Sequence, residues 1–236
     1  MAGCQIAIPL IGEHPDLTSM VVLGLAVAAV AAAISAWGLR RGLAAALATA
    51  ALALAVEAAG VHTGWPFGRY RYLGVLRPTL AGVPVIVPLA WVGMGFAAWD
   101  VAGRLVPPVA GRVVAGAVAL TGWDLFLDPQ MTKAHYWVWT GGGIYRGIPL
   151  SNFAGWLACS VGVMAILALT LPRPSRSLAL LGIYSEMAIM ETVGFLVFFG
   201  DPVVGVVGGA ATLPLVALAW TRRAPRATVS AMITVT

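Results

Sequence analysis

The chain is short of charge, of lysine and of cysteine, and each shortage excludes a class of protein. Only 10% of its 236 residues are charged and 60% are hydrophobic, well above the roughly 45–50% apolar content of soluble domains. Its one lysine, Lys133, falls in a predicted loop, which argues against a retinal protein with a buried Schiff-base lysine. Cys4 and Cys159 form no CxxC or His/Cys spacing, so the sequence predicts neither a disulfide framework nor a metal site.

Uninterrupted apolar runs are plentiful, and they predict an all-α, polytopic membrane protein. Several of these runs reach about 20 residues, the length at which an α-helix crosses the hydrocarbon core of a bilayer. We therefore expect one integral membrane domain over residues 1–236, with about seven transmembrane helices in the plasma membrane. The predicted spans are 17–37, 42–61, 80–103, 109–128, 151–171, 177–200 and 203–221.

Basic residues are unevenly divided between the two sets of loops, and this division predicts the orientation. Nine arginines follow the first, third, fifth and seventh spans: Arg40, Arg41, Arg104, Arg112, Arg173, Arg176, Arg222, Arg223 and Arg226. The other side holds Arg69, Arg71, Arg77, Lys133 and Arg146, with Glu13 and Asp16 in the N-terminal segment. Because cytoplasmic loops carry the excess of basic residues, we expect the N-terminus outside and the C-terminus in the cytoplasm. This topological role explains the net charge of +5 without a nucleic-acid partner.

The two longest predicted outer loops, about 62–79 and 129–150, are rich in Trp, Tyr, Gly and Pro. Two interpretations of these loops remain open. Their residues form an aromatic belt at the membrane interface, or they fold into a cap over an intramembrane cavity. Pro129 is expected to end the fourth helix and to open the second loop.

Six of the nine acidic residues fall within predicted spans, where charge is costly. They are Glu57, Asp100, Asp124, Asp128, Glu186 and Glu191. A charge at the bilayer centre costs roughly 2.5–3.5 kcal/mol, so these acids must be neutral, paired or in contact with water. Asp100 and Arg104 are spaced i,i+4, which predicts an ordinary salt bridge. The other five acids either hold helices together by hydrogen bonds or form a functional site.

Helix geometry sorts these acids by depth. At a rise of about 1.5 Å per residue, Glu57, Asp124 and Glu191 lie at one level in the outer half of the membrane. Asp128 lies one turn above Asp124 on the same helical face, whereas Glu186 lies deeper than Glu191 and points elsewhere. Burial favours the protonated form of a carboxylic acid, and neighbouring carboxyl groups tend to share a proton. The cluster therefore predicts a proton donor beside a proton acceptor, suited to a hydrophobic substrate.

Two further polar residues border the same level of the membrane. His62, just after the second span, is a candidate for a supporting hydrogen bond. Asn152, at the start of the fifth span, is either a helix cap or a polar group of the site. His14 and His135 lie in loops without other residues at a spacing typical of metal ligands, so no metal is expected.

Four segments of the chain resemble a known family. The strings "EAAGVHTGWPFGRYRY", "GVPVIVPLAW", "WDLFLDPQM" and "YRGIPLSNFAGW" are similar to the carotenoid hydratase family of integral membrane proteins, of the bisanhydrobacterioruberin hydratase and carotenoid 1,2-hydratase type. The resemblance extends from about Glu57 to Trp156 and, more loosely, to the glutamates of the sixth span. This chain has Arg77-Pro78 where the family pattern has Gly-Pro.

The resemblance implies addition of water to the terminal double bond of an acyclic carotenoid end, giving a tertiary alcohol without a cofactor or a metal. Hydration of such an alkene begins by protonation to a tertiary carbocation, which aromatic faces stabilise. On this hypothesis Asp124 donates the proton, Asp128 orients the water or restores the proton, and Glu57 and Glu191 complete the polar cluster. Candidate supporting or substrate-binding residues are His62, Asn152, Glu186, Trp65, Trp123, Trp156, Tyr70 and Arg69. The expected partners are a lipophilic carotenoid, the bilayer and other enzymes of the pathway.

Three alternatives use the same acids differently. A proton-coupled transporter or flippase would use them as a relay, although that function needs access from both faces. A carotenoid cyclase would protonate the same double bond and quench the cation by ring closure. A scaffold for carotenoid enzymes would use them only as structural hydrogen bonds. The sequence leaves the oligomeric state and the carotenoid open.

Overall fold

The computed structural model describes residues 2–12, 14–172 and 174–222, and this part of the chain is a bundle of helices. Its α-helices are α1 (Ala2–Ile11), α2 (Pro15–Trp37), α3 (Leu39–Thr63), α4 (Ile86–Leu105), α5 (Val109–Lys133), α6 (Leu150–Thr170), α7 (Leu178–Val193) and α8 (Pro202–Thr221). The seven helices from α2 to α8 are long and apolar enough to cross a membrane, α7 with a π-helical extension over Gly194–Phe198. The predicted all-α polytopic bundle is therefore confirmed, with α1 as an additional short helix.

The central helix of the bundle is α4, which contacts each of the other six membrane helices. Every residue from 90 to 102 is buried, and most of them are small or aromatic. Gly93 lets α2 approach closely, because a Cβ atom there would lie 2.5 Å from Cγ of Leu25. A helix that is apolar on all sides belongs in the core of a bundle. This position makes α4 a rigid support for Trp91 near its N-terminal end.

The third predicted span begins too early. The structure starts α4 at Ile86, whereas the predicted span begins at residue 80. The intervening residues form a hairpin of two short strands, β2 (Thr79–Leu80) and β3 (Val83–Pro84). Its turn residues Ala81 and Gly82 both have positive φ, as a two-residue hairpin turn requires. Hydropathy alone does not separate a short apolar strand from the end of an apolar helix.

The prediction that Pro129 ends the fourth helix is wrong. Helix α5 runs through Pro129 and ends at Lys133, which therefore lies in a helix and not in a loop. A proline within a helix has no N–H for the carbonyl four residues earlier, here that of Leu125. The Tyr145 hydroxyl donates to this carbonyl at 3.0 Å, and burial raises the pKa of Tyr145 to about 12, so the hydroxyl keeps its proton. The missing bond is thus replaced by a side chain from the following loop.

The segments 64–85 and 134–149 together form a folded layer at one end of the bundle, which we call the cap. Strand β1 (Tyr70–Tyr72) pairs antiparallel with β4 (Trp137–Trp139), with Tyr70 opposite Trp139 and Tyr72 opposite Trp137. Alternate residues of a strand point to the same side. Two tyrosines and two tryptophans therefore share one face of the ladder. Gly155 of α6 permits this packing, because a Cβ atom there would lie 2.9 Å from the carbonyl oxygen of Pro66.

The cap is tied to the N-terminal ends of α2 and α8. The hydroxyls of Thr18 and Tyr136 lie 3.2 Å apart, and Arg146 pairs with Asp201 at 2.5 Å between Nε and Oδ2. Both helices therefore begin at the cap end of the bundle. That this end faces the outside of the cell stays a prediction from the basic residues. Four residues used for that prediction lie outside the described part of the chain: Glu13, Arg173, Arg223 and Arg226.

The predicted pair of Asp100 and Arg104 is confirmed at the opposite end of the bundle. Their side chains are almost fully buried and approach to 2.7 Å between Arg104 Nε and Asp100 Oδ2. The Ser175 hydroxyl donates to Asp100 Oδ1 at 2.5 Å, and the Ser177 backbone N–H donates to the same oxygen at 2.8 Å. The pair therefore fixes the α6–α7 connection against α4 and has a structural role.

Replacement of Asp100 by alanine is expected to lower the free energy of unfolding by about 3–5 kcal/mol, because it leaves Arg104 as an uncompensated buried charge. The measurement is the apparent melting temperature in detergent. Asp16→Ala is the control, since the side chain of Asp16 is 87% exposed. The double variant Asp100→Ala, Arg104→Met is expected to recover part of the loss. Equal melting temperatures for Asp100→Ala and the control would contradict the structural role.

Candidate active site

Glu57 is a buried carboxyl group surrounded by hydrogen-bond donors. It projects from α3, and Gly60 one turn later leaves room for the ring of Tyr70, whose Oη would lie 2.9 Å from a Cβ atom there. The hydroxyls of Tyr70 and Tyr72 donate to Glu57 Oε2 at 2.6 and 2.9 Å. Trp91 Nε1 donates to Oε1 at 3.2 Å. Three donors on two oxygens form the arrangement that suits a carboxylate ion.

The two tyrosines reach Glu57 because they alternate along β1. Tyr70 and Tyr72 share one side of the strand, whereas Arg71 lies on the other. Burial, followed by the nearby Glu57 carboxylate, raises the pKa of Tyr70 and of Tyr72 well above the ordinary tyrosine range. Both phenols therefore stay protonated and keep donating to Glu57 at any physiological pH.

Asp124 and Asp128 form a second buried acidic group, one helical turn apart on α5. Asn152 of α6 donates its amide Nδ2 to both, at 3.0 Å to Asp124 Oδ2 and 2.5 Å to Asp128 Oδ2. Trp137 Nε1 of the cap donates to Asp128 Oδ1 at 3.1 Å. Because one amide nitrogen contacts both, the two carboxyl groups lie close to each other. Asn152 is thus a polar group of this cluster; the alternative of a helix cap does not apply, because α6 begins at Leu150 and its cap residue is Pro149.

Glu57, Asp128 and Asn152 line one space beneath the cap, which we call the inner cavity. Its volume is about 60 Å³. That volume holds several water molecules, since one water needs about 10–15 Å³ measured in the same way. Asp124 is fully buried behind Asp128 and is not part of the cavity wall. The carboxyl groups of Glu57 and Asp128 therefore face a common space in which they can act on the same molecule.

Seven of the other fifteen residues that line the inner cavity are aromatic. Trp91 and Trp156 stack with centroids 4.0 Å apart and an angle of 10° between their planes. The cap contributes the four aromatic side chains of its ladder: Tyr70, Tyr72, Trp137 and Trp139. Faces of such rings attract a cation and bury apolar surface. The wall is suited to an apolar group that becomes positively charged.

A second space, the lateral cavity, adjoins the inner cavity and has a volume of about 290 Å³. It lies between α1, α2, α5 and α7, and it contains Glu191 and Trp123 in its wall. Trp123 also packs edge-on against Trp156 at 6.3 Å between ring centroids. The structure therefore places Glu191 next to the acid cluster but facing a different space.

The remaining predicted site residues do not line the inner cavity. Glu186 is half-buried on α7 and lines neither cavity. His62, Trp65 and Arg69 are exposed, Trp65 to 73%. Arg69 contributes its backbone carbonyl to the cap, where it accepts from the Thr140 N–H at 2.9 Å. The structure thus assigns no contact with the acids to these four side chains.

The residues of the inner cavity that sequence analysis missed include four with aromatic rings: Tyr72, Trp91, Trp137 and Trp139. Three of them could have been found from the sequence, because the patterns Tyr-Arg-Tyr and Trp-Val-Trp alternate with the period of a β-strand. Two such short strands in the two predicted outer loops suggest a ladder. Trp91 has no comparable signal, since its role depends on the position of α4 at the centre of the bundle.

No group of three or more His, Cys, Asp or Glu side chains in the described ranges has the geometry of a metal site. The chemistry available to the described residues is acid–base chemistry in a small, largely apolar space. A pair of carboxyl groups that accept from one amide lies on α5, and a carboxyl group with three hydrogen-bond donors lies on α3. Such an arrangement can deliver a proton to an apolar group and accept one from a water molecule.

Comparison with known proteins gives two matches. A family model described as carotenoid biosynthesis protein matches residues 17–221. Bisanhydrobacterioruberin hydratase of Haloarcula japonica is 30% identical over 123 residues, which cover 50% of this chain. The match covers 42% of the length of that relative, so the chain corresponds to less than half of it. No solved structure matches the chain.

Proposed function

The chain belongs to the family of carotenoid biosynthesis proteins, and on this premise we propose that it is a carotenoid hydratase of the plasma membrane. The proposed reaction adds water to the terminal C=C bond of an acyclic carotenoid end and gives a tertiary alcohol. The observation that carries the proposal is the inner cavity, in which Asp128 and Glu57 share one space with a wall of aromatic rings. The relative from Haloarcula japonica that matches part of this chain is named a hydratase, and this supports the same chemistry.

The Asp124–Asp128 pair supplies the proton. Two buried carboxyl groups this close favour the state with one shared proton, because two negative charges repel each other strongly away from water. From the sequence we expected Asp124 to be the donor. Since Asp128 lines the cavity and Asp124 lies behind it, we propose the reverse assignment. Asp128 delivers the proton, and Asp124, held by the same Asn152 amide, shares it.

The proton adds to the CH carbon of the terminal double bond. The electron pair of that bond forms the new C–H bond, and the positive charge remains on the carbon that carries two methyl groups. The stacked rings of Trp91 and Trp156 stabilise this cation, together with the negative charge of Glu57. A cation formed in an apolar cavity without such groups would be far higher in free energy.

Water completes the reaction on the Glu57 side of the cavity. A water oxygen forms the C–O bond with the cation, and Glu57 accepts the proton that this water loses. The three donors on Glu57 orient its oxygens before the reaction begins. Glu57 then passes this proton through water in the cavity to the aspartate pair, so that both groups return to their starting protonation states. One water is consumed for each end modified, and no electron is transferred.

Expression in a bacterial host that makes lycopene is expected to yield pigment heavier by one water for each modified end. The measurement is mass spectrometry of extracted carotenoids, with the double variant Asp124→Asn, Asp128→Asn as the inactive control. Pigment of unchanged mass but altered absorbance would indicate cyclisation and would contradict hydration. Unchanged pigment beside a folded, membrane-inserted protein would exclude both reactions on this substrate.

A further inference from the structure

The lateral cavity is larger than the inner cavity beside it, and the reaction proposed above does not use it. Its wall combines residues of α1 with residues of α2, α5 and α7. Three methionines, Met131, Met187 and Met190, contribute flexible and polarisable side chains. Among the described residues of this wall there is no lysine or arginine, and Glu191 is the one ionisable side chain. The composition suits a long apolar ligand.

The two cavities are neighbours that share part of their walls. Thr18, Val22, Leu127 and Met131 line both spaces. These four residues therefore form part of the boundary between the two spaces. Rotation of the Met131 side chain, which has three rotatable bonds, is enough to widen the passage. An elongated molecule can occupy both cavities at once.

The lateral cavity reaches the surface of the bundle between exposed apolar side chains. Four residues of its wall are largely exposed: Ile6 at 51%, Leu10 at 67%, Val193 at 43% and Phe198 at 51%. The first two belong to α1 and the others to the end of α7 and its π-helical extension. The π-helical segment begins at Gly194, which also lines the cavity. Such local π-helical segments interrupt an α-helix most often at functional sites.

Helix α1 forms one side of this opening. It is short, and it contacts the bundle mainly along α2. The Gln5 amide connects it to α7 by donating to the Met187 sulfur at 3.1 Å. A hydrogen bond to a thioether is weak, since this sulfur is a poor acceptor. This hydrogen bond therefore opposes a separation of α1 from α7 only weakly.

We propose that the lateral cavity binds the polyene chain of the acyclic carotenoid, which enters sideways from the lipid between α1 and the π-helical end of α7. This inference rests on the proposed function, because the carotenoid end must lie in the inner cavity for the polyene to lie here. The polyene passes Thr18 and Met131, and the rest of the molecule extends through the mouth into the bilayer. Entry from the lipid suits a substrate that is insoluble in water.

The test fills the lateral cavity and compares long with short substrates. Met190→Trp adds a large ring to the cavity wall, and Ile189→Trp adds the same ring one residue earlier, where the side chain is 47% exposed and lines neither cavity. The proteins are purified in detergent from a host that makes an acyclic carotenoid, and retained polyene is measured by absorbance. Met190→Trp is expected to retain at least about tenfold less polyene than the wild type, equivalent to about 1.4 kcal/mol. Ile189→Trp is expected to match the wild type.

A second measurement separates this inference from the proposed function. A short acyclic terpene with the same terminal double bond needs only the inner cavity. Met190→Trp is therefore expected to hydrate it at close to the wild-type rate while losing most activity on the long carotenoid. Equal retention by Met190→Trp and wild type overturns the inference even if water is added to the carotenoid. Retained polyene that gains no water overturns the proposed function and leaves the binding site standing.

Two further outcomes also count against the inference. If wild-type protein carries only phospholipid and retains no polyene, the cavity is an acyl-chain site. The second outcome concerns a variant at the mouth, which also serves if Met190→Trp does not insert into the membrane. This variant is Leu10→Trp, since the side chain of Leu10 is 67% exposed and tolerates a larger ring. Leu10→Trp is expected to slow uptake of polyene from liposomes. Uptake at the wild-type rate would overturn lateral entry at α1.

Discussion

Asp128→Asn is expected to lower the rate of water addition by about 100- to 10,000-fold, the range that a general acid contributes. The asparagine has the shape of the aspartate but cannot deliver a proton to the double bond. Its amide oxygen still accepts from Trp137 Nε1, and a flipped Asn152 amide can accept from its NH₂ group. The fold should therefore survive the change. Pigment composition is measured by mass spectrometry at equal amounts of membrane-inserted protein.

Asp124→Asn provides the comparison that tests the assignment of the donor. It removes the partner with which Asp128 shares its proton but leaves the carboxyl group in the cavity wall. We expect a smaller loss than for Asp128→Asn, and no loss for the exposed control Asp16→Asn. A larger loss in Asp124→Asn would return the role of donor to Asp124. Full activity in both variants would exclude the pair as the proton source.

The depth of the acids could be predicted from the sequence because helix geometry fixes one coordinate of each residue. A constant rise per residue places Glu57 and Asp124 at one level once the ends of their spans are known. The same count places Glu191 at that level, yet its side chain faces the lateral cavity. Depth does not give the rotation of a helix or its neighbours. The direction in which Glu191 points depends on how α7 packs against the rest of the bundle, and this packing could not be predicted from the sequence.

Hydrogen bonds between residues that are far apart along the chain could not be predicted from the sequence either. Pro129 is expected to end a helix because it leaves one carbonyl without a donor. The donor that satisfies this carbonyl, Tyr145, lies in the next loop, and no local pattern connects the two. The consequence is functional. Because α5 continues past Pro129, Asp124 and Asp128 stay on one regular helix, where a single amide from α6 can contact both.

The cap shows why residues near each other in sequence have different roles. Trp65 and Tyr70 both follow α3, but Trp65 is exposed and Tyr70 donates to Glu57. The difference arises from the strand pairing of Tyr70 with Trp139, which turns its side chain toward the bundle. The aromatic content of the two loops fits either an aromatic belt at the membrane interface or a folded cap, and does not distinguish them. The alternation of the two strands is what favours the cap.

Glu57→Gln is expected to lower the rate of water addition by about 100-fold or more, within the range for loss of a general base. The change removes the negative charge that faces the cation. It also turns an amide NH₂ toward at least one of three donors, because Tyr70, Tyr72 and Trp91 occupy both carboxyl oxygens. The measurement is again the mass of extracted pigment at equal protein amounts. Tyr72→Phe is the matched variant, since it removes one donor and keeps the charge, and we expect it to lose less than about tenfold.

The role of Glu57 in chemistry is separated from a role in folding or binding by the retained polyene. Glu57→Gln is expected to bind as much acyclic carotenoid as the wild type, because the lateral cavity and the aromatic wall are unchanged. A variant that binds the polyene and adds no water places Glu57 in the reaction itself. If Glu57→Gln keeps more than a third of wild-type activity, the carboxylate is neither the base nor the counter-charge. Its three hydrogen bonds would then serve only to fix β1 and α4 to α3.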